Sequence, residues 1–221
     1  DDNSVSVING STNTVTATVS VGASPSGVAV NPSTNKVYVA NSIGNSVSVI
    51  NGSTNTVTTT VSVGIDPLGV AVNPSTNTVY VANLHSNSVS VINGSTNTVT
   101  TTVSVGNNPQ AVAVNPSTNT VYVANSYGSD SLSVINGSTN TVTATISGLH
   151  GPGAVAVNPS TNTIYVTNSY NSSVSVINGS TNTVTETISF WRVDPFAVAV
   201  NPSTNTVYVV DFGYSKVLVI D

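Results

Sequence analysis

The sequence predicts an all-β fold: a five-bladed β-propeller of four-stranded antiparallel blades, closed by its N- and C-terminal strands, with one surplus strand. Three observations carry this expectation. The phrase Ile-Asn-Gly recurs with its asparagine at Asn9, Asn51, Asn93, Asn136 and Asn178, in steps of 42, 42, 43 and 42 residues. A second phrase, Val-Asn-Pro-Ser-Thr-Asn, recurs with its proline at Pro32, Pro74, Pro116, Pro159 and Pro202. Between the phrases lie four short Val- and Thr-rich segments per unit, and a four-strand period of roughly 40–45 residues is a propeller signature.

The second complete unit shows each element in order. Strand A is the short apolar run Gly69-Val70-Ala71-Val72. The turn Asn73-Pro74-Ser75-Thr76-Asn77 follows, with proline presetting φ and the last asparagine tolerating the left-handed conformation. Strand B runs Thr78-Val79-Tyr80-Val81-Ala82-Asn83, and strand C runs Ser88-Val89-Ser90-Val91-Ile92. The turn Asn93-Gly94-Ser95-Thr96-Asn97 leads into strand D, from Thr98 to Val105. Val/Thr alternation has the period of two that a half-buried strand requires, and both residues favour strands. Strand A, with the smallest side chains, suits the innermost position of a blade. Strand D suits an outer edge with one packed and one wet face. The tyrosines in the middle of strand B (Tyr38, Tyr80, Tyr122, Tyr165 and Tyr208) are expected to pack between blades, each hydroxyl finding a partner.

Tyr165-Val166-Thr167-Asn168, with Tyr38-Val39-Ala40-Asn41, Tyr80-Val81-Ala82-Asn83 and Tyr122-Val123-Ala124-Asn125, resembles the YVTN-type β-propeller repeat. The last unit departs to Tyr208-Val209-Val210-Asp211. The resemblance covers essentially the whole chain. It implies a propeller fold and an extracellular bias, being to a family similar to surface-layer and cell-surface proteins, and it implies no catalytic residue.

Composition narrows function. Charged residues make up 5% of the 221, with three basic against eight acidic and a net charge of −5, where soluble domains typically carry about 25%. Nucleic-acid binding is not expected, since phosphate neutralisation needs Lys and Arg. Neither is attraction to an anionic membrane, and no apolar run has the ~18 residues that a spanning helix needs. The chain lacks cysteine, which removes disulfides, thiolate metal sites and Cys nucleophiles and fits an oxidising exterior. It opens Asp1-Asp2-Asn3-Ser4, so a secreted form would have lost its leader or be an excised piece. The expected organisation is one propeller domain over residues 1–221.

Counting strands leaves a remainder. There are five A, five B and five D segments but six C-like segments, ending at Ile8, Ile50, Ile92, Ile135, Ile177 and Ile220. Thr14–Val21 should supply strand D of the last blade, and two segments compete for its C position. Val217-Leu218-Val219-Ile220 is expected to win because its local B–C connection delivers it there. The hairpin Val5–Val21 would then add a strand at the outer edge or donate it to a neighbour, because an unpaired edge recruits strands. The expected partner is therefore the chain itself, in a homo-oligomer or fibre, with glycans or surface proteins as further partners.

The A–B and C–D turns should share one face and barely vary. The B–C and D–A loops should share the other and vary freely. That second face would collect His85, Tyr127, His150, Tyr170, Phe190, Trp191, Arg192, Asp194 and Tyr214 as contact candidates. Trp and Arg are enriched in binding hot spots; Trp191 could instead plug a channel mouth. All five C–D turns also contain Asn-Gly-Ser, an N-glycosylation sequon, at Asn9, Asn51, Asn93, Asn136 and Asn178, and a sixth lies at Asn171. Asn-Gly is equally a hairpin dipeptide in which both residues accept positive φ. Only His85 and His150 could act as bases, so no enzyme, cofactor or metal site is expected. The functional expectation is an extracellular structural or surface-coat protein, glycosylated and self-assembling. Its rival is an adhesion or ligand-binding module that uses the variable loops.

Overall fold

A computed structural model describes residues 2–221. They form six antiparallel sheets and two single-turn 3-10 helices. The first sheet is the hairpin β1 (Ser4–Asn9) and β2 (Thr14–Ser20). Four complete blades follow in sequence order A-B-C-D. They are β3 (Pro25–Asn31) to β6 (Thr56–Ser62) through β4 (Lys36–Asn41) and β5 (Ser46–Asn51); and β7 (Pro67–Asn73), β8 (Thr78–Asn83), β9 (Ser88–Asn93) and β10 (Thr98–Ser104). Next are β11 (Pro109–Asn115), β12 (Thr120–Asn125), β13 (Ser131–Asn136) and β14 (Thr141–Ile146), then β15 (Pro152–Asn158), β16 (Thr163–Asn168), β17 (Ser173–Asn178) and β18 (Thr183–Ser189). The last sheet has three strands, β19 (Pro195–Asn201), β20 (Thr206–Asp211) and β21 (Lys216–Ile220). Two compact units divide the chain, Asp1–Thr102 and Val103–Asp221.

The terminal strands answer the counting question. Lys216–Ile220 pairs with β20 in the C position, Asp211 opposite Lys216, as its local connection predicts. Thr14–Ser20 pairs with Ser4–Asn9 in a sheet of its own. The expected sharing of one blade between the two termini is not among the pairings.

Within each unit the core is a stack of sheet faces. In the first unit, Tyr38, Val47, Val49 and Val61 of one blade bury against Val79, Val81 and Ile92 of the next. In the second, Tyr122, Leu132, Val134 and Ile146 meet Ile164, Val166 and Ile177. A strand-B tyrosine thus faces valines and isoleucines on the following blade. Tyr38, Tyr80 and Tyr122 are fully buried. Among the described residues their hydroxyls accept and donate nothing, which corrects the expected partner: the wall around Tyr38 and Tyr122 is aliphatic. Desolvation by burial pushes these phenols, and that of Tyr165, above their ordinary pKa.

The D strands are wetter than expected. In β6 only Val61 is buried. The C–D ladder also shifts register between Val49 and Ile50. The extra residue, Thr58, turns its Oγ1 back to donate to the Val49 carbonyl at 3.1 Å. Thr100, Thr143 and Thr185 repeat this bond, so a bulge is built into each outer edge.

Candidate functional site

The turn face is built by hydrogen bonds between two turns of the same blade. In the first complete blade the Asn35 carbonyl accepts the Gly52 N–H at 2.8 Å, and Asn35 Nδ2 donates to Ser53 Oγ at 2.9 Å. Asn77 with Gly94 and Ser95, and Asn162 with Gly179 and Ser180, repeat the pattern. Blades within a unit are tied on the same face: Asn31 Nδ2 donates to Asn77 Oδ1 at 2.8 Å, and Asn115 Nδ2 to Asn162 Oδ1 at 2.8 Å. Lys36 Nζ adds a bond to the Gly94 carbonyl at 2.6 Å.

This face corrects the reading of Asn-Gly. Among the described residues, the C–D turn glycines have no positive φ; the left-handed residue is the closing asparagine, such as Asn13, Asn55 and Asn97 at φ 53–55°. Glycine is needed for space instead. A Cβ on Gly52, Gly94, Gly137 or Gly179 would collide with Asn35, Asn77, Asn119 or Asn162 respectively.

The five turn sequons share one geometry. Asn51 Oδ1 accepts the backbone N–H of Ser53 at 2.8 Å, closing an Asx-turn. Asn9, Asn93, Asn136 and Asn178 do the same. Four of these asparagines are exposed and Asn51 is half-buried. Among the described residues, the amide nitrogen that would carry a sugar has no acceptor in any of them. Asn171 differs: its Oδ1 accepts the hydroxyl of Ser173, which is fully buried and also accepts from Asn168 Nδ2. The folded chain therefore holds five open sequons and one closed one.

The loop face joins each D–A loop to the B–C loop of its own blade. Ser42, Leu84, Ser126, Ser169 and Phe212 donate their N–H groups to the carbonyls of Ser24, Asp66, Asn108, Gly151 and Asp194. Under these loops runs a polar ladder that the sequence reading missed. Asn41 Nδ2 donates to Ser46 and Ser48 at 3.1 and 3.0 Å; Asn83, Asn125 and Asn168 repeat this with two serines each. Every one of these asparagines is buried. The available signal was a Ser-x-Ser at the start of strand C opposite the last residue of strand B. In the final blade Asp211 replaces the asparagine, and Lys216 and Leu218 replace the serines; Lys216 Nζ lies 3.5 Å from Asp211 Oδ2.

The contact candidates separate by unit. In the first, His85 stands in the 3-10 turn Leu84–Ser86, its Nδ1 3.1 Å from Asp66 Oδ2. In the second, Tyr127 and Tyr170 meet edge to face at 6.0 Å, both exposed. Tyr170's hydroxyl is held above its ordinary pKa by desolvation and by Tyr127. His150 donates its backbone N–H to Asn168 Oδ1 and accepts that of Tyr170. Trp191 is 84% exposed, with the Arg192 guanidinium 5.6 Å from its ring centroid; a plug would be buried. Arg192 adopts φ 55°, in the left-handed region. Phe190 instead packs in the core with Tyr165 and Val174. Asp194 donates its N–H to buried Asp211, and Tyr214 is exposed beneath Lys216 Nζ. Among the described residues, no group of three or more His, Asp or Glu could hold a metal ion.

The comparisons with known proteins agree with this geometry. The YNCE-like β-propeller family matches residues 70–163. No curated protein matches. Among solved structures, a chain of the Kuenenia stuttgartiensis hydrazine synthase is similar, with a TM-score of 0.80 and 25% identity over 85% of this chain and 55% of that one. This chain thus spans about half the length of that structure's chain. From its five repeats, its blade-forming antiparallel sheets and these likenesses, the chain is a β-propeller repeat protein.

Proposed function

We propose that this chain is a structural protein of an extracellular or cell-surface coat, glycosylated, without catalysis, and assembling with copies of itself. The observation that carries the reading is apolar surface left bare at blade faces. In the first unit Val28 and Val30 are 59% and 54% exposed. In the second, Tyr208, Val210, Val217 and Val219 are exposed, whereas their counterparts in the first complete blade, Tyr38, Ala40, Val47 and Val49, are fully buried. Exposed contiguous apolar surface marks interaction sites. The five open sequons, and a surface of Ser, Thr and Asn with 5% charge, support glycosylation as a source of solubility.

The test is electron microscopy together with the intact mass of protein isolated from its source. Filaments or sheets, with a mass above the 22.3 kDa polypeptide, are the expected result. A dispersed monomer of polypeptide mass would overturn the reading.

A second reading, an adhesion module, is favoured by the exposed Trp191–Arg192 and Tyr127–Tyr170 pairs, since Trp, Tyr and Arg dominate hot spots. The likeness to a hydrazine synthase chain supports the architecture, and that enzyme's activity is not carried over.

A further inference from the structure

We propose that the β19–β20 hairpin of one copy completes the β1–β2 hairpin of a second copy, forming a shared blade in which β1 takes the C position that β21 otherwise holds. This rests on the self-assembly reading and names the surfaces that join. Three sets of groups match across the proposed junction.

The first set is polar. In the complete blades an Asn ending strand B donates to two serines of strand C. Asp211 ends β20, fully buried; its Oδ1 accepts the Asp194 N–H, while its Oδ2 has no hydrogen bond, only the Lys216 ammonium of β21 at 3.5 Å, which leaves with β21. β1 carries Ser4 and Ser6 at the matching positions, and neither hydroxyl has a partner among the described residues. The register of a complete blade sets Asn41 opposite Ser46 and Val39 opposite Ser48. Transferred to the junction, it sets Asp211 opposite Ser4 and Val209 opposite Ser6. An aspartate there is an acceptor facing two hydroxyl donors, the reverse polarity of the Asn–Ser–Ser ladder and equally satisfiable.

The second set is apolar. Val28 and Val30 of β3 are bare, while their counterparts Val70 and Val72 are half-buried in the cluster that contains Tyr38. The matching residues of β20 are Tyr208 and Val210, both bare. The rest of that interface already exists: Val5, Val7, Val19 and Val21 of the hairpin pack on Val37, Val39 and Ile50. Within the first unit the opposite face of this blade meets only the β1–β2 hairpin, and beside β1 an open groove lined by Val5, Pro25, Gly27, Val28 and Val39 leaves room for an A–B pair.

The third set lies on the turn face. Gly52 and its equivalents are crowded by the closing asparagine of an A–B turn, but nothing lies within 4 Å of a Cβ on Gly10. Ser53 accepts from Asn35 Nδ2, whereas Ser11 Oγ has no donor among the described residues. Asn205 closes the β19–β20 turn with φ 56°, and its Oδ1 already accepts from Asn158 Nδ2 at 2.8 Å. Its own Nδ2 has no acceptor among the described residues. Asn205 therefore fits over Gly10 and reaches Ser11, as Asn35 fits over Gly52 and reaches Ser53.

The experiment uses the absence of native cysteine. Two single variants, Ser11→Cys and Asn205→Cys, sit on exposed turn residues. They are mixed and oxidised at concentrations where the wild-type protein is assembled by sedimentation. The expected result is a disulfide-linked heterodimer in the mixture, severalfold above the homodimers of either variant alone. Val5→Cys mixed with Val210→Cys probes the strands themselves and should cross-link likewise. Lys216→Glu, which sets a second anion beside Asp211 and loosens β21, should raise the heterodimer yield severalfold. Assembled wild type with no heterodimer, or a disulfide forming only within one chain when both cysteines are on it, overturns strand exchange and leaves self-assembly through another surface standing. Wild type that stays monomeric at every concentration overturns both.

Discussion

Asn35 closes over Gly52. Its carbonyl takes the glycine N–H at 2.8 Å, its Nδ2 reaches Ser53 Oγ at 2.9 Å, and the fit leaves no room for a Cβ. Gly52→Ala should therefore cost about 1–3 kcal/mol, the usual penalty of overpacking. Gly10→Ala, in the same phrase of the first repeat but with open space around it, should change the unfolding free energy of dilute protein by less than about 0.5 kcal/mol. Chemical denaturation of the two variants side by side checks this. Equal losses would mean that glycine serves backbone conformation after all.

The buried phenols predict a response to alkali. Desolvation raises the folded-state pKa of Tyr38, Tyr80, Tyr122 and Tyr165 above 10.0. A raised folded pKa favours the protonated form, so unfolded tyrosines ionise first as pH climbs. Stability should be level below pH ~10 and fall from there towards the higher folded-state pKa values. Thermal melts from neutral to strongly alkaline pH, with tyrosinate absorbance followed in parallel, would detect it.

Because the hydroxyls of Tyr38, Tyr80 and Tyr122 are unpartnered, Tyr80→Phe should be neutral or stabilising by up to about 1 kcal/mol at neutral pH. It should also weaken the alkaline decline. A loss of stability at neutral pH would show that the hydroxyl has a partner after all.

Asp211 and Lys216 replace an Asn–Ser pair in the last blade. Lys216→Ser alone leaves a buried carboxylate without its cation and should destabilise by about 1–2 kcal/mol, less than a fully buried pair because the lysine is half exposed. Adding Asp211→Asn restores the pairing of the other blades and should recover most of the loss. A double-mutant cycle measures the coupling; strictly additive effects would contradict it.

Trp191→Ala should leave melting within about 0.5 kcal/mol of wild type, since the ring is 84% exposed. Binding to an immobilised candidate glycan or surface protein should weaken at least tenfold if the loop face is an adhesion site. Unchanged binding would remove Trp191 from it.

Much of the fold was legible because strand chemistry repeats at short range. Val and Thr alternation located the strands, and Asn-Pro-Ser-Thr-Asn announced a turn closed by a left-handed asparagine, seen at Asn35 and Asn77. The two turn families could be assigned to one face because hairpin connectivity alone decides it. What was not legible depended on neighbours. The role of Gly52 is set by Asn35, 17 positions earlier. The Asn41–Ser46–Ser48 ladder needs the B–C register. Phe190 reads as a loop aromatic until packing places it beside Tyr165 and Val174.

By itself the sequence determined a repeated four-strand unit, its turns, and the gathering of its irregular residues on one set of loops. Those follow from backbone preference and side-chain period, which act within a few residues. Only the tertiary structure decided which groups are left unsatisfied: the Asp211 oxygen that has an ion pair but no hydrogen bond, the hydroxyls of Tyr38, Tyr80 and Tyr122, the bare Val28 and Val30, and the space over Gly10. Whether a polar atom is satisfied or a methyl is covered depends on a neighbouring strand or blade, and near-identical repeats cannot announce which of them lacks one.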